Sequence, residues 1–71
     1  MHTRELAKIY RESAARITKR LGELRAVMRA ETDPEAQFRL YRRMVKLAEI
    51  RRQTAETAGE LERHERRDRH G

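Results

Sequence analysis

The chain has 71 residues, no cysteine and a net charge of +6, and 42% of its residues are charged. That length allows a single domain, and a domain so small buries only about 60% of the surface its unfolded chain exposes, so it ordinarily leans on disulfides, a metal or a partner chain. Without cysteine, disulfides and thiolate metal sites are excluded, which leaves oligomerisation or very regular helix packing to supply stability.

The opening "MHTRELAKIYRES" contains no apolar run of the length a secretory signal needs. No stretch approaches the roughly 20 apolar residues of a membrane span. A soluble, cytoplasmic protein is expected, and the lack of cysteine is compatible with a reducing compartment. In the first half, Ala7, Tyr10, Ala14, Ile17, Leu21, Leu24 and Met28 recur at alternating steps of three and four. This is the spacing of a helical seam packed on another helix. Leu6 and Val27 widen one edge, while Glu5, Glu12, Lys19 and Glu23 fall opposite. Gly22 lies off the seam at a cost of about 1 kcal/mol in helix propensity, and the stripe still predicts a helix over about 3–30.

The only proline, Pro34, sits in "RAETDPEAQF" near the midpoint. Inside a continuous helix it would lack an N–H and clash with the carbonyl of Ala30. At a helix start neither matters. Asp33 can serve as N-cap with Pro34 in the first helical position, or Thr32 and Glu35 can form a capping box. Either reading gives a turn over about 31–33, and a connection that short makes the flanking helices antiparallel.

The second helix is expected over about 34–63. Leu40, Met44, Leu47, Thr54, Ala58 and Leu61 continue the pattern, flanked by Tyr41, Val45, Ala48 and Ala55, with Phe38 on the same edge and Ile50 on the other. The stripe is wider than one antiparallel partner requires. A second copy of the hairpin is the expected neighbour, with Phe38, Tyr41, Val45, Ile50 and Arg51 as the expected oligomer interface. Arg51 interrupts the seam between Leu47 and Ala55. Either its stem lies along the seam with the guanidinium reaching out, or it forms an inter-helix ion pair that fixes register. Beyond Arg63, residues 64–71 have no apolar anchor and are expected to fray as a charged tail.

No Gly-rich phosphate loop, H-E-x-x-H or cysteine-based metal spacing is present. His64 with Glu60 and Asp68 has i, i+4 spacing but lies in the charged tail, where solvent exposure is expected rather than a metal. Carboxylates are interleaved with Arg and Lys at helical spacing, as in solvated ion-pair faces. Catalysis needs a desolvated group, so no enzyme, catalytic residue, metal or cofactor is expected. The one distinctive feature is "AQFRLYRRMVKLA", residues 36–48, with four cations and no acid. Arg39, Arg42, Arg43 and Lys46 stand at i, i+3, i+4 and i+7 on one helical face. The hairpin brings Arg16 and Arg20 of the first helix nearby. Clustered arginines suit phosphates or an acidic protein surface. The face is also readable as an ordinary solvated surface.

Two heptad-patterned helices over 3–63 joined by a tight turn at "TDPE" resemble the Rop-type helical hairpins, and "ETDPEAQFRLYRRMVKL" is similar in style to small bacterial helical-hairpin proteins. The resemblance implies an all-α antiparallel hairpin, two copies of which form a four-helix bundle. The resulting expectation is a non-enzymatic, self-associating interaction module or adaptor, a homodimer with no membrane partner. The alternative is a small basic regulator that binds RNA or DNA through the Arg39–Lys46 face.

Overall fold

The computed structural model describes residues 2–70, with side chains as far as Arg67. Two α-helices, α1 (Thr3–Ala30) and α2 (Pro34–His70), pack against each other. Arg11 meets Glu62, Thr18 meets Arg51 and Met28 meets Gln37, so the numbering runs in opposite directions along the two and the pair is an antiparallel hairpin. It forms a rod of 57 × 16 × 14 Å.

The predicted seam is the packed line. Ala7, Leu21, Leu24 and Ala58 are buried. Tyr10, Ala14, Ile17 and Met28 on α1, and Leu40, Met44, Leu47, Thr54 and Leu61 on α2, are half-buried around them. Ala7 and Ala58 are buried although each carries only a methyl group, which marks a close approach of the two backbones towards the open end. Leucines fill the space nearer the turn.

At the turn, α1 ends as Glu31 goes extended at φ −78° and ψ 127°. Asp33 is the N-cap of α2: its Oδ2 accepts the Ala36 N–H at 3.4 Å and its carbonyl accepts the Gln37 N–H at 2.9 Å. This selects the Asp33–Pro34 cap over the Thr32–Glu35 box. Glu31, from the opposite side of the cap, accepts the Asp33 N–H at 3.0 Å and so satisfies the donor that a capping-box glutamate would have served. Gln37 reaches back with Nε2 to the Met28 carbonyl at 3.1 Å, closing one of the free acceptors that a helix C-terminus leaves. The bend uses no residue with positive φ among those described.

Helix α2 extends to His70, beyond the end expected at Arg63, so residues 64–70 of the stretch expected as a tail continue the helix, and Gly71 lies outside the described residues. Between Gly59 and Gly71 there is neither glycine nor proline, and Glu60, Leu61, Glu62, Arg63, Arg66 and Arg67 are good helix formers. Glu62 feels the charges of Arg63 and Arg66, and opposite charges at such spacing support a helix without an apolar anchor. No helix among the described residues is long and apolar enough to cross a membrane.

Candidate interaction surfaces

A hairpin has two broad sides, and the inter-helix contacts identify which flanks share each one. Arg11, Ala15 and Thr18 of α1 and Val45, Ala48, Arg52 and Ala55 of α2 line one groove of about 920 Å³. Phe38 and Tyr41, at seven and four residues before Val45, continue its line towards the turn. Gly22, Arg25 and Arg29 continue the line of Thr18 on α1. This is the aromatic side. Phe38, Tyr41 and Val45 are 59%, 54% and 50% exposed on it, and the groove next to them is floored by alanines.

The remaining flanks form the opposite, basic side. On α2 these are Arg39, Arg43, Lys46 and Ile50, at steps of four, three and four. On α1 they are Ile9, Arg16, Arg20 and Val27. Arg42 lies on the outward face of α2 between the two sides. Arg16 and Arg20 share this side with Arg39, Arg43 and Lys46, but the Thr18–Arg51 pair sets them level with the stretch after Lys46, away from Arg39 and Arg43; the exposed side chains of Ile9, Val27 and Ile50 lie on it too.

The five residues expected at an oligomer interface are not gathered on one surface of the hairpin. Phe38, Tyr41 and Val45 form a line, Ile50 lies on the opposite side, and Arg51 points into the cleft between the helices. There Arg51 is half-buried, and its Nη1 donates to the Thr18 hydroxyl at 3.4 Å. Thr18 in turn donates to the Ala14 carbonyl at 3.1 Å. Of the two readings of Arg51, the contact is an inter-helix hydrogen bond with no carboxylate in it.

Charges divide sharply between paired and unpaired. Arg11 clamps Glu62 across the helices, Nη2 to Oε1 at 2.7 Å and Nε to Oε2 at 3.2 Å. That hydrogen bond holds the Glu62 carboxyl below its ordinary value and raises the Arg11 guanidinium. Arg52 bridges Glu49, with Nε to Oε2 at 3.0 Å, and Glu56 at 2.7 Å. It lowers the Glu49 carboxyl and is itself raised by both acids. Arg20 lies 3.9 Å from Glu23. Arg16, Arg39, Arg42, Arg43 and Lys46 make no ion pair or side-chain hydrogen bond among the described residues. The pairing residues Gln37 and Glu62 carried no signal in the sequence, because each depends on where the hairpin folds back.

No cluster of three His, Asp or Glu able to hold a metal occurs among the described residues. Of the His64, Glu60 and Asp68 trio, the Asp68 side chain lies outside them. The ionisable groups with shifted pKa belong to exposed ion pairs. The arrangement presents two chemically distinct sides, one aromatic and grooved, one cationic and aliphatic. Comparison with protein-family models, with curated proteins and with solved structures finds no match to this chain, so its likeness to Rop-type hairpins rests on the helix–turn–helix plan alone.

Proposed function

We propose that the chain is a non-enzymatic, self-associating helical module, a homodimer that closes through its aromatic side into a four-helix bundle. The observation that carries this is the surface left uncovered. A compact monomer of 8.5 kDa exposes about 4,600 Å², whereas this hairpin exposes 5791 Å². The excess, about 1,200 Å², exceeds the roughly 800 Å² that one partner contributes to a standard interface. A 71-residue chain also has a radius of gyration of about 11 Å when globular, against 16.4 Å here. A rod with four buried side chains among the described residues has little to set against its chain entropy. The aromatic side is the one to cover, because Phe38, Tyr41 and Val45 stand there as a contiguous apolar line. Two basic sides pressed together would bring like charges face to face. Sedimentation equilibrium tests the reading: a mass of about twice the 8.5 kDa chain is expected, with dissociation and helix loss together on dilution. A monomer that keeps its helices at high micromolar concentration overturns it.

A second reading, an anionic partner on the basic side, is favoured by the contrast in pairing. Arg11 and Arg52 take carboxylates across and along the helices. Arg42 and Arg43 have no carboxylate within four residues on α2, and Arg39 and Lys46 form no ion pair with Glu35 and Glu49, which stand at i−4 and i+3 of them. Titration with duplex DNA, single-stranded RNA and an acidic peptide over a range of salt distinguishes the partners, since phosphate contacts give a steep linear dependence on log salt.

A further inference from the structure

Cations and aliphatic side chains change places between the two helices on the basic side. Near the turn, Arg39 and Arg43 stand on α2 and Val27 on α1. Beyond Lys46, the Thr18–Arg51 pair sets Arg16 and Arg20 of α1 level with the stretch of α2 that carries Ile50. The positive charges therefore run obliquely across the furrow, from α2 near the turn to α1 farther out, with an exposed aliphatic residue on either side of the line. We infer that this side receives an amphipathic helix of a partner protein, with carboxylates once per turn along the cationic line and aliphatic side chains over Val27 and Ile50. The inference rests on the second reading above, an anionic partner on the basic side, and names that partner's chemistry.

Spacing favours a helix. Arg39 to Arg43 and Arg20 to Arg16 are steps of four residues and Arg43 to Lys46 a step of three, roughly 6 and 4.5 Å along the axis. Those steps bracket the helical pitch of about 5.4 Å, so glutamates at i, i+4 and i+7 of an aligned helix meet successive cations. An extended chain repeats a face every ~6.6 Å and drifts out of step over the line's length of about 20 Å. It also turns alternate side chains away from the surface, whereas a helix carries an apolar margin on both sides of an acidic line.

The aliphatic residues discriminate between polyanions. Val27 and Ile50 are 52% and 48% exposed, and a phosphate backbone offers them charge rather than apolar cover. An anionic membrane does offer apolar cover, but it sets its headgroups against Glu23, which lies on this side seven residues from Arg16 and 3.9 Å from Arg20. A partner helix can carry a neutral or basic residue at that level. A second copy of this chain has few carboxylates to spare: Arg52 bridges Glu49 and Glu56, Arg11 holds Glu62, and Glu31 and Asp33 bond N–H groups of the turn. Arg16, Arg39, Arg43 and Lys46 break no internal ion pair when they meet the partner.

Fluorescence anisotropy on the full chain at low salt tests the inference with two labelled helical peptides of identical composition. One carries glutamate at i, i+4, i+7, i+11 and i+14 with leucine on both margins; the other distributes the same residues evenly around the helix. The striped peptide is expected to bind about tenfold tighter or better, the difference that matched positions make at constant charge. Equal affinities overturn the inference. Two variants locate the site. Val27→Ala with Ile50→Ala raises helix propensity and removes the apolar contacts, so striped-peptide affinity should fall roughly tenfold; an unchanged affinity overturns the aliphatic half of the match. Arg20→Gln with Arg43→Gln removes one cation from each helix at nearly constant propensity and should weaken binding at least as much. Competition decides the partner's class. If single-stranded RNA or phosphatidylserine vesicles of equal charge displace the striped peptide and bind tighter than it does, the acidic helix is overturned while an anionic partner on this side stands. Binding that ignores the Arg20→Gln, Arg43→Gln change, or no binding by any of the three probes, overturns both.

Discussion

Val45→Ala separates a hairpin that works alone from one that works as a pair. Val45 is 50% exposed in the hairpin. Truncation to alanine removes two carbon groups worth about 0.8 kcal/mol each when fully buried. Half exposed, they contribute about 0.8 kcal/mol to the single hairpin, and alanine returns several tenths of that through its higher helix propensity. The stability of an isolated hairpin should therefore hardly change. In the dimer the exposed half is covered in both copies, so association loses about 1.6 kcal/mol, a roughly 15-fold rise in dissociation constant. Sedimentation equilibrium measures the association, and thermal melts by circular dichroism at two protein concentrations separate it from folding. A dissociation constant within about threefold of the parent, with melts independent of concentration, refutes the covering of Val45 by a second copy.

The Glu62 carboxyl is held low by Arg11, so its contribution is present above the ordinary glutamate range and is lost as pH falls through the depressed value; the difference in melting temperature between parent and Glu62→Gln should shrink towards zero on acidification, and a gap that persists at low pH denies the ion pair its role at the open end. Gly22→Ala meets open space and should stabilise by about 1 kcal/mol, raising the melting temperature by roughly 4–8 °C; a lower melting temperature would mean that another backbone approaches at that point. Changing Arg39, Arg42 and Lys46 together to Gln keeps helix propensity nearly constant and should leave mass and melting unchanged while binding to an anionic probe weakens, with the log–log salt slope falling by roughly 0.7–0.9 for each phosphate no longer neutralised; unchanged affinity and slope would remove the basic side as a binding surface.

What is legible in the sequence is everything written into a local period. The seven seam positions of α1, the break at Pro34 and the Leu40–Met44–Leu47 line of α2 each follow from residues within a turn or two of one another, and the hairpin uses all of them. The competing caps are resolved by the bonds that Asp33 accepts from Ala36 and Gln37, with Glu31 bonding the Asp33 N–H. The extension of α2 to His70 escapes a reading that weighs an absent apolar anchor above helix propensity and balanced charge. The division of the surface is hidden for a different reason. Residues 38, 41 and 45 and residues 39, 43 and 46 are interleaved in the chain, and the sequence alone does not say which flank of α1 each joins. That becomes visible only through pairs such as Arg11–Glu62 and Thr18–Arg51, which lie 51 and 33 residues apart.

The first half of α2 carries three chemically different faces. Residues step about 100° around a helix, so the Leu40–Met44–Leu47 line, the Phe38–Tyr41–Val45 line and the Arg39–Arg43–Lys46 line stand roughly a third of a turn apart. An antiparallel partner of this size can cover only the first. A helix selected for the hairpin alone would have needed one apolar line and a mixed-charge remainder, which is the pattern α2 adopts after Arg51, where Arg52 is bracketed by Glu49 and Glu56. The change of pattern partway along one continuous helix is hard to attribute to packing within the chain, because the seam itself continues unchanged through Thr54, Ala58 and Leu61. It is accounted for if the turn-proximal half faces other molecules on both flanks. In a bundle closed through the aromatic sides, the basic sides fall on the two outer surfaces. There the unpaired arginines avoid each other and remain available to an anionic partner without competing with self-association.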